Sequence, residues 1–191
     1  MTLAFVIALF TALCVAVEMV ARLANLSPEL VRKLAHMSSA VFAALLPLVL
    51  SFAEIAILGV GFAGLMAVSL RVGIFNAIHG VSRITYGEVF FPLGIAALAV
   101  ACPSKLPFAF GVLVLGVCDG LAALVGERFG RRVVPLMQTR KTLWGTSTFL
   151  VACFALGVLL LLPTGGVSVS YALAAAAAMA LVLTPVELFL T

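Results

Sequence analysis

Charge is what this sequence has least of. Only 9% of its 191 residues are Asp, Glu, Lys or Arg, against 65% hydrophobic residues, where a soluble domain carries about a quarter charged residues. Eleven cations and seven anions cannot coat a water-soluble globule of this length, because even a well-packed domain leaves a large area facing water. A mean hydropathy of +1.34 agrees. Metal-ligating residues are equally sparse. There are two histidines, and the four cysteines, Cys14, Cys102, Cys118 and Cys153, form no CxxC pair and no His/Cys cluster. Their placement argues against a thiolate metal site or a disulfide framework, and all four are expected to be small buried hydrophobes. The amino-terminal run, Met1 to Val20, has no Lys or Arg ahead of it and exceeds a signal core, so it reads as a membrane span rather than a secretory signal. No extramembrane domain fits. Any chemistry is confined to short loops and helix ends.

What is present is a series of apolar runs: Leu3 to Val20, Ser38 to Leu50, Ala53 to Leu70, Gly87 to Ala101, Phe108 to Val125, Gly145 to Leu162 and Tyr171 to Leu190. At roughly 20 residues per crossing, the expected fold is an all-α, polytopic membrane helix bundle of about seven transmembrane helices, a single domain over residues 1–191. Ser27-Pro28-Glu29 is a good helix start, so the second helix should begin well before its apolar run. The breaks carry Pro, Gly, Ser and charge. Cations fall unevenly across them. Arg22, Arg32, Lys33, Arg71, Arg83, Arg128, Arg131, Arg132, Arg140 and Lys141 lie on odd-numbered connections, and only Lys105 on an even one. By the positive-inside rule the amino terminus is outside and the carboxyl terminus cytoplasmic. The net charge of +4 is therefore an orientation signal, and nothing resembles a reader of nucleic acid. No internal repeat of the transporter kind stands out.

Acids within spans are costly and tend to be functional. Glu18, Glu88, Asp119 and Glu187 all lie toward the cytoplasmic ends of their spans, whereas Glu54 lies at an outer end, where an interfacial role suffices. Asp119 is deepest, about 9 Å before Val125 at the helical rise. Gly116, Asp119, Gly120, Ala123 and Glu127 recur at helical spacing and share a face, which packing through Gly116xxxGly120 would also explain. Glu88 precedes Pro92 by four residues, and proline lacks the amide that would take the Glu88 carbonyl. Residue 88 thus offers two kinds of oxygen to a cation. On the second helix, Arg32, Lys33, His36 and Ser39 share a broad face; Arg32 and Lys33 suit an anchor, while His36 lies a turn deeper, within reach of the carboxylate layer. His79 reads as part of a short interfacial helix.

The connection at about 126–145 holds Arg128, Arg131, Arg132, Arg140 and Lys141 together with Gly126, Gly130 and Gly145. Anionic headgroups or orientation account for part of the charge. The glycines permit close backbone approach to a ligand, and Lys141-Thr142 precedes a helix whose amino end favours phosphate. The spacing is not the Walker pattern.

Arg32-Lys33-Leu34-Ala35-His36, Gly87-Glu88 before Pro92, Asp119-Gly120-Leu121-Ala122 with Gly126 and Phe129-Gly130, and Lys141-Thr142-Leu143-Trp144-Gly145-Thr146 resemble, in that order, the polytopic lipid-alcohol kinases. That family includes dolichol, phytol and CTP-dependent diacylglycerol kinases, distant relatives of phosphatidate cytidylyltransferase. The resemblance covers residues from about 28 to 150. Trp144 departs from it, standing where many members carry Glu or a small residue. The Asp-Asn pair that usually follows an acid such as Glu187 is also absent, so either the protein works without it or the sequence is truncated.

The resemblance implies phosphoryl transfer from a nucleoside triphosphate, commonly CTP, to the hydroxyl of a membrane lipid alcohol, with Mg²⁺ or another divalent cation, at the cytoplasmic face of an integral, multi-pass membrane protein (the inner membrane in a prokaryote). Asp119 and Glu88 would hold the metal, with Glu187 a third candidate. Lys141, Thr142, Arg128 and Arg140 would contact phosphates beside Gly120, Gly126, Gly130 and Gly145, with Arg32 and Lys33 adding charge and His36 placing the alcohol or a phosphate. CDP-lipid synthesis is the alternative reaction and transport the third. Which alcohol is used, whether CTP or ATP is the donor, and the oligomeric state stay open at this level.

Overall fold

The computed structural model describes residues 2–72, 87–130, 141–164 and 166–189. Among the described residues there is no strand. The elements are α1 (Thr2–Leu23), α2 (Pro28–Leu45), α3 (Phe52–Val72), α4 (Gly87–Ala101), α5 (Lys105–Leu113), α6 (Asp119–Phe129), α7 (Leu143–Leu161) and α8 (Val169–Phe189). A single π-helical turn, Val114–Cys118, joins α5 to α6, making the 25-residue helix Lys105–Phe129. Among the described residues, that helix, Leu3–Leu23, Leu143–Leu161 and Val169–Leu188 are the four long and apolar enough to cross a membrane; Phe52–Val68 and Val89–Ala101 are shorter apolar helices.

The ends of these helices follow local chemistry. Ser27 caps α2, its hydroxyl accepting the Leu30 amide at 3.4 Å, and Pro28 takes the first helical position, as the Ser-Pro-Glu start predicts. The helix stops sooner than its apolar run. After Leu45 the chain tightens into a 3₁₀ turn, Leu46–Leu48, around buried Pro47, whose ring cannot continue an α-helical ladder. Thr142 caps α7 in the same way as Ser27 caps α2. His79 and its expected interfacial helix lie outside the described residues.

The chain folds as two compact units, Met1–Gly116 and Val117–Thr191. In the first, α3 packs along α4, α2 against α5, and α1 against α2. Its interior centres on Ile55, Phe108 and Val112, each 0% exposed, with Phe52 edge-on to Phe108 at 5.6 Å. In the second, α7 packs along both α6 and α8. There the interior is made of small side chains, Cys153, Ala172, Ala176 and Ala180, which allow close helix approach without a hydrophobic driving force from lipid.

The outward residues are as apolar as the inward ones. Phe5, Leu23, Ile57, Val100, Val151, Leu159 and Val182 are all exposed. A lipid-facing surface explains this pattern and a watery one does not. It also corrects the expectation for the cysteines. Cys118 and Cys153 are buried, but Cys14 is exposed and Cys102 is half-buried, all four being free thiols.

Candidate active site

Asp119 opens α6 directly after the π-helical turn. Such turns are uncommon and frequent at functional sites, because the extra residue re-aims the side chains beyond it. The turn falls inside the stripe expected through Gly116, Asp119, Gly120, Ala123 and Glu127. Gly116 lies within it, pressed on α2, where a Cβ would come within 2.2 Å of the Ala40 Cβ and 3.5 Å of the His36 carbonyl oxygen. Gly120 and Ala122 are buried within the second unit, while Glu127 is exposed.

The described acids differ in whether their charge is spoken for. Glu18 pairs with Arg22 at 2.8 Å, Glu29 with Arg32 at 2.7 Å, and Glu54 accepts both the Ser51 amide and hydroxyl. Glu187 pairs with Lys141, and Glu127 has a partner of its own. Asp119, half-buried, pairs with none of the described residues. A span carboxylate left open in this way is the feature that a metal or a substrate hydroxyl would complete. Beside it, Cys118 is buried, as is Cys153 of α7.

Around the start of α7 the structure gathers Gly126, Gly130, Thr142 and Gly145. Thr142 is the hub. Its hydroxyl accepts the Gly145 amide at 3.2 Å and its carbonyl the Thr146 amide at 3.0 Å. A Cβ on Gly130 would lie 2.6 Å from the Thr142 hydroxyl and 2.1 Å from the Gly126 carbonyl oxygen, and one on Gly145 would lie 3.0 Å from the Ala122 carbonyl oxygen. The glycines thus let α6 and α7 cross closely around Thr142. The Gly130 amide is also taken, donating to the Gly126 carbonyl at 2.9 Å. Of the first turn of α7, the Leu143 and Trp144 amides have no acceptor among the described residues, which is where an anion can bind.

The cations fall into two groups. Arg32 and Lys33 both reach Glu29 on their own helix, Lys33 at 3.6 Å and itself buried. The Arg32 hydrogen bond holds the Glu29 carboxyl below its usual range, against a smaller opposing effect of burial. Lys141, by contrast, reaches a carboxylate 46 residues away. Arg128 is exposed, its guanidinium 5.7 Å from the Phe129 ring centre. Arg140 and the Glu88 side chain lie outside the described residues, although α4 runs unbroken through Pro92. His36 is half-buried, its ring 3.9 Å from that of Phe91 and tilted by 48°. Trp144 is 59% exposed on the first turn of α7. Thr146, one turn further, has a buried hydroxyl with no hydrogen-bond partner among the described residues; the sequence motif ends on it without giving it a role.

No three His, Cys, Asp or Glu side chains converge among the described residues. Asp119 offers the kind of carboxylate oxygen that magnesium takes, one or two such groups being joined by substrate phosphates and water.

An open span aspartate ahead of a capped, lysine-bearing helix start is consistent with the resemblance to the lipid-alcohol kinases. The comparison with known proteins supports that family. The chain is similar to a curated protein of Synechocystis sp. named phytol kinase, 40% identical over 117 residues, which make up 60% of this chain and 50% of that protein. It therefore spans about half the length of the curated relative it matches. No family model matches the chain, and no solved structure matches it.

Proposed function

We propose that this protein is a multi-pass membrane kinase that transfers the terminal phosphoryl group of a nucleoside triphosphate, CTP in preference to ATP, to the hydroxyl of an isoprenoid alcohol of the phytol or polyprenol type. The observation that carries the reading is the 40% identity to a protein named phytol kinase. The uneven cations favour seven crossings with the amino terminus outside, the carboxyl terminus cytoplasmic and the 126–145 connection on the cytoplasmic face, the inner membrane being the site in a prokaryote.

Phosphoryl transfer asks the protein mainly to position reactants and neutralise charge. In this reading Lys141, Arg128 and Arg140 draw in the phosphates, and the leading amides of α7 receive one of them. Asp119 supplies the open carboxylate for the divalent cation, which when bound screens the phosphate oxygens. Glu88 and His36 keep the roles that their motifs imply, metal oxygen and alcohol placement. The bond from the terminal phosphorus to its bridging oxygen breaks, a bond to the alcohol oxygen forms, and the alcohol proton passes to a carboxylate or to water. CDP and an alkyl phosphate leave.

The test is incubation of purified protein with CTP or ATP labelled in the terminal phosphate against phytol, geranylgeraniol, a long polyprenol and diacylglycerol. Label in an alkyl phosphate, with CDP as co-product, supports the proposal. A CDP-lipid with release of pyrophosphate would assign the alternative cytidylyltransferase chemistry, and nucleotide-independent flux in proteoliposomes would assign transport.

A further inference from the structure

Lys141 and Glu187 each occupy the less favourable end of a helix. Lys141 immediately precedes the Thr142 cap of α7, at the positive end of its dipole, and Glu187 lies in the last turn of α8, at the negative end. Neither position suits its charge alone. The two are brought together from 46 residues apart, the ammonium donating to Glu187 Oε1.

The pair is also unevenly buried. The Glu187 side chain is 6% exposed and that of Lys141 27%. Oε2 of Glu187 is buried with no hydrogen-bond partner among the described residues. An ion pair built for stability alone satisfies both carboxylate oxygens, because a buried charge is costly when partly compensated. Here the carboxylate spends one oxygen on the lysine and is otherwise walled in, while the ammonium is gripped on one side and reachable on the other. Lysine has three donors, and a single grip leaves the rest for an incoming anion.

We propose that Glu187 is a positioning residue. It holds the Lys141 ammonium over the open first turn of α7, so that the lysine meets a nucleotide phosphate there instead of extending into solvent or toward lipid headgroups. The proposal rests on the kinase reading and deepens it: Glu187 acts through Lys141 and not as a metal ligand.

The experiment is steady-state kinetics in phosphatidylcholine nanodiscs, which carry no anionic headgroup. Glu187→Gln keeps the shape and removes the charge, and it should raise the KM for nucleotide about tenfold while kcat stays within about threefold. Glu187→Asp should recover part of the loss. In a Lys141→Ala background, Glu187→Gln should add nothing further, the signature of one residue working through another. The reversed pair, Lys141→Glu with Glu187→Lys, should regain thermal stability but not nucleotide affinity.

A shift in the magnesium requirement that persists in the Lys141→Ala background would make Glu187 a metal ligand and overturn the proposal. Unchanged kinetics with a lowered Tm would reduce the pair to a structural one and overturn it equally. An effect that appears only when phosphatidylglycerol replaces phosphatidylcholine would assign the ammonium to lipid headgroups, again against it. If the unmodified protein transfers no phosphate to any alcohol, the kinase reading fails by itself. Binding of inorganic tripolyphosphate to the protein and to Glu187→Gln then reads the positioning directly, weaker binding by the variant supporting it and equal binding overturning it.

Discussion

α2 and α7 each begin behind a hydroxyl cap, Ser27 and Thr142, and each carries lysine near that cap, Lys33 and Lys141. At α2 the neutralising acid is local. Glu29 serves both Arg32 and Lys33 from within the same two turns, and such helix pairs contribute only about 0.3–0.5 kcal/mol. At α7 the acid comes from another helix, is buried, and leaves the lysine partly open. The glycines around Thr142 bring α6 and α7 close enough to hold that arrangement. Similar residues at two helix starts thus make a local ion-pair cluster in one place and a candidate phosphate site in the other. The difference lies in where the counter-charge originates, and in Asp119, which precedes the second start and has no described partner.

That contrast can be broken at four points. The largest effect is expected from Asp119→Asn, which should lower phosphoryl transfer by at least about a thousandfold through loss of the metal-binding charge, with membrane insertion and Tm unchanged. Lys141→Ala should raise the KM for nucleotide by at least about tenfold and leave that for the alcohol near its original value; equal changes in both would remove the distinction between the two helix starts. Gly130→Ala should destabilise by about 1–3 kcal/mol through overpacking against the Gly126 carbonyl and Thr142, read as a lowered Tm. Gly61→Ala, where a Cβ meets nothing within 4 Å, is its harmless control.

The smallest effect belongs to α2. Because its folded carboxyl is held below the usual range, Glu29 contributes stability that is fully present above about pH 4.3, the unfolded value, and is lost as pH falls through the lowered folded value. Glu29→Gln should therefore lower Tm slightly at neutral pH, with the difference from the unmodified protein vanishing in acid. A fall in turnover as large as that of Lys141→Ala would make α2 part of the machinery.

The helices and their starts are readable from sequence because apolar run length and cap chemistry are local. Gly87–Ala101 matches its predicted run, and Ser27-Pro28 and Lys141-Thr142 mark helix starts as expected. The π-helical turn at Val114–Cys118 is not readable, since a one-residue change in hydrogen-bond register leaves hydropathy untouched. Cys14 departs from expectation for a related reason: a membrane protein is apolar on both its packed and its lipid-facing sides, so hydropathy does not separate them. The Lys141–Glu187 pair spans 46 residues, beyond any periodicity, and the close packing of α6 and α7 around the glycines near it is likewise not readable from spacing.

Transfer of label from the terminal phosphate of CTP to phytol, measured side by side for the unmodified protein and Asp119→Asn, tests the central claim most directly. Labelled phytyl phosphate from the first and essentially none from the second is the predicted result. Equal labelling by both proteins would contradict the role of Asp119, and no labelled alkyl phosphate from either with any alcohol or nucleotide would contradict the kinase itself.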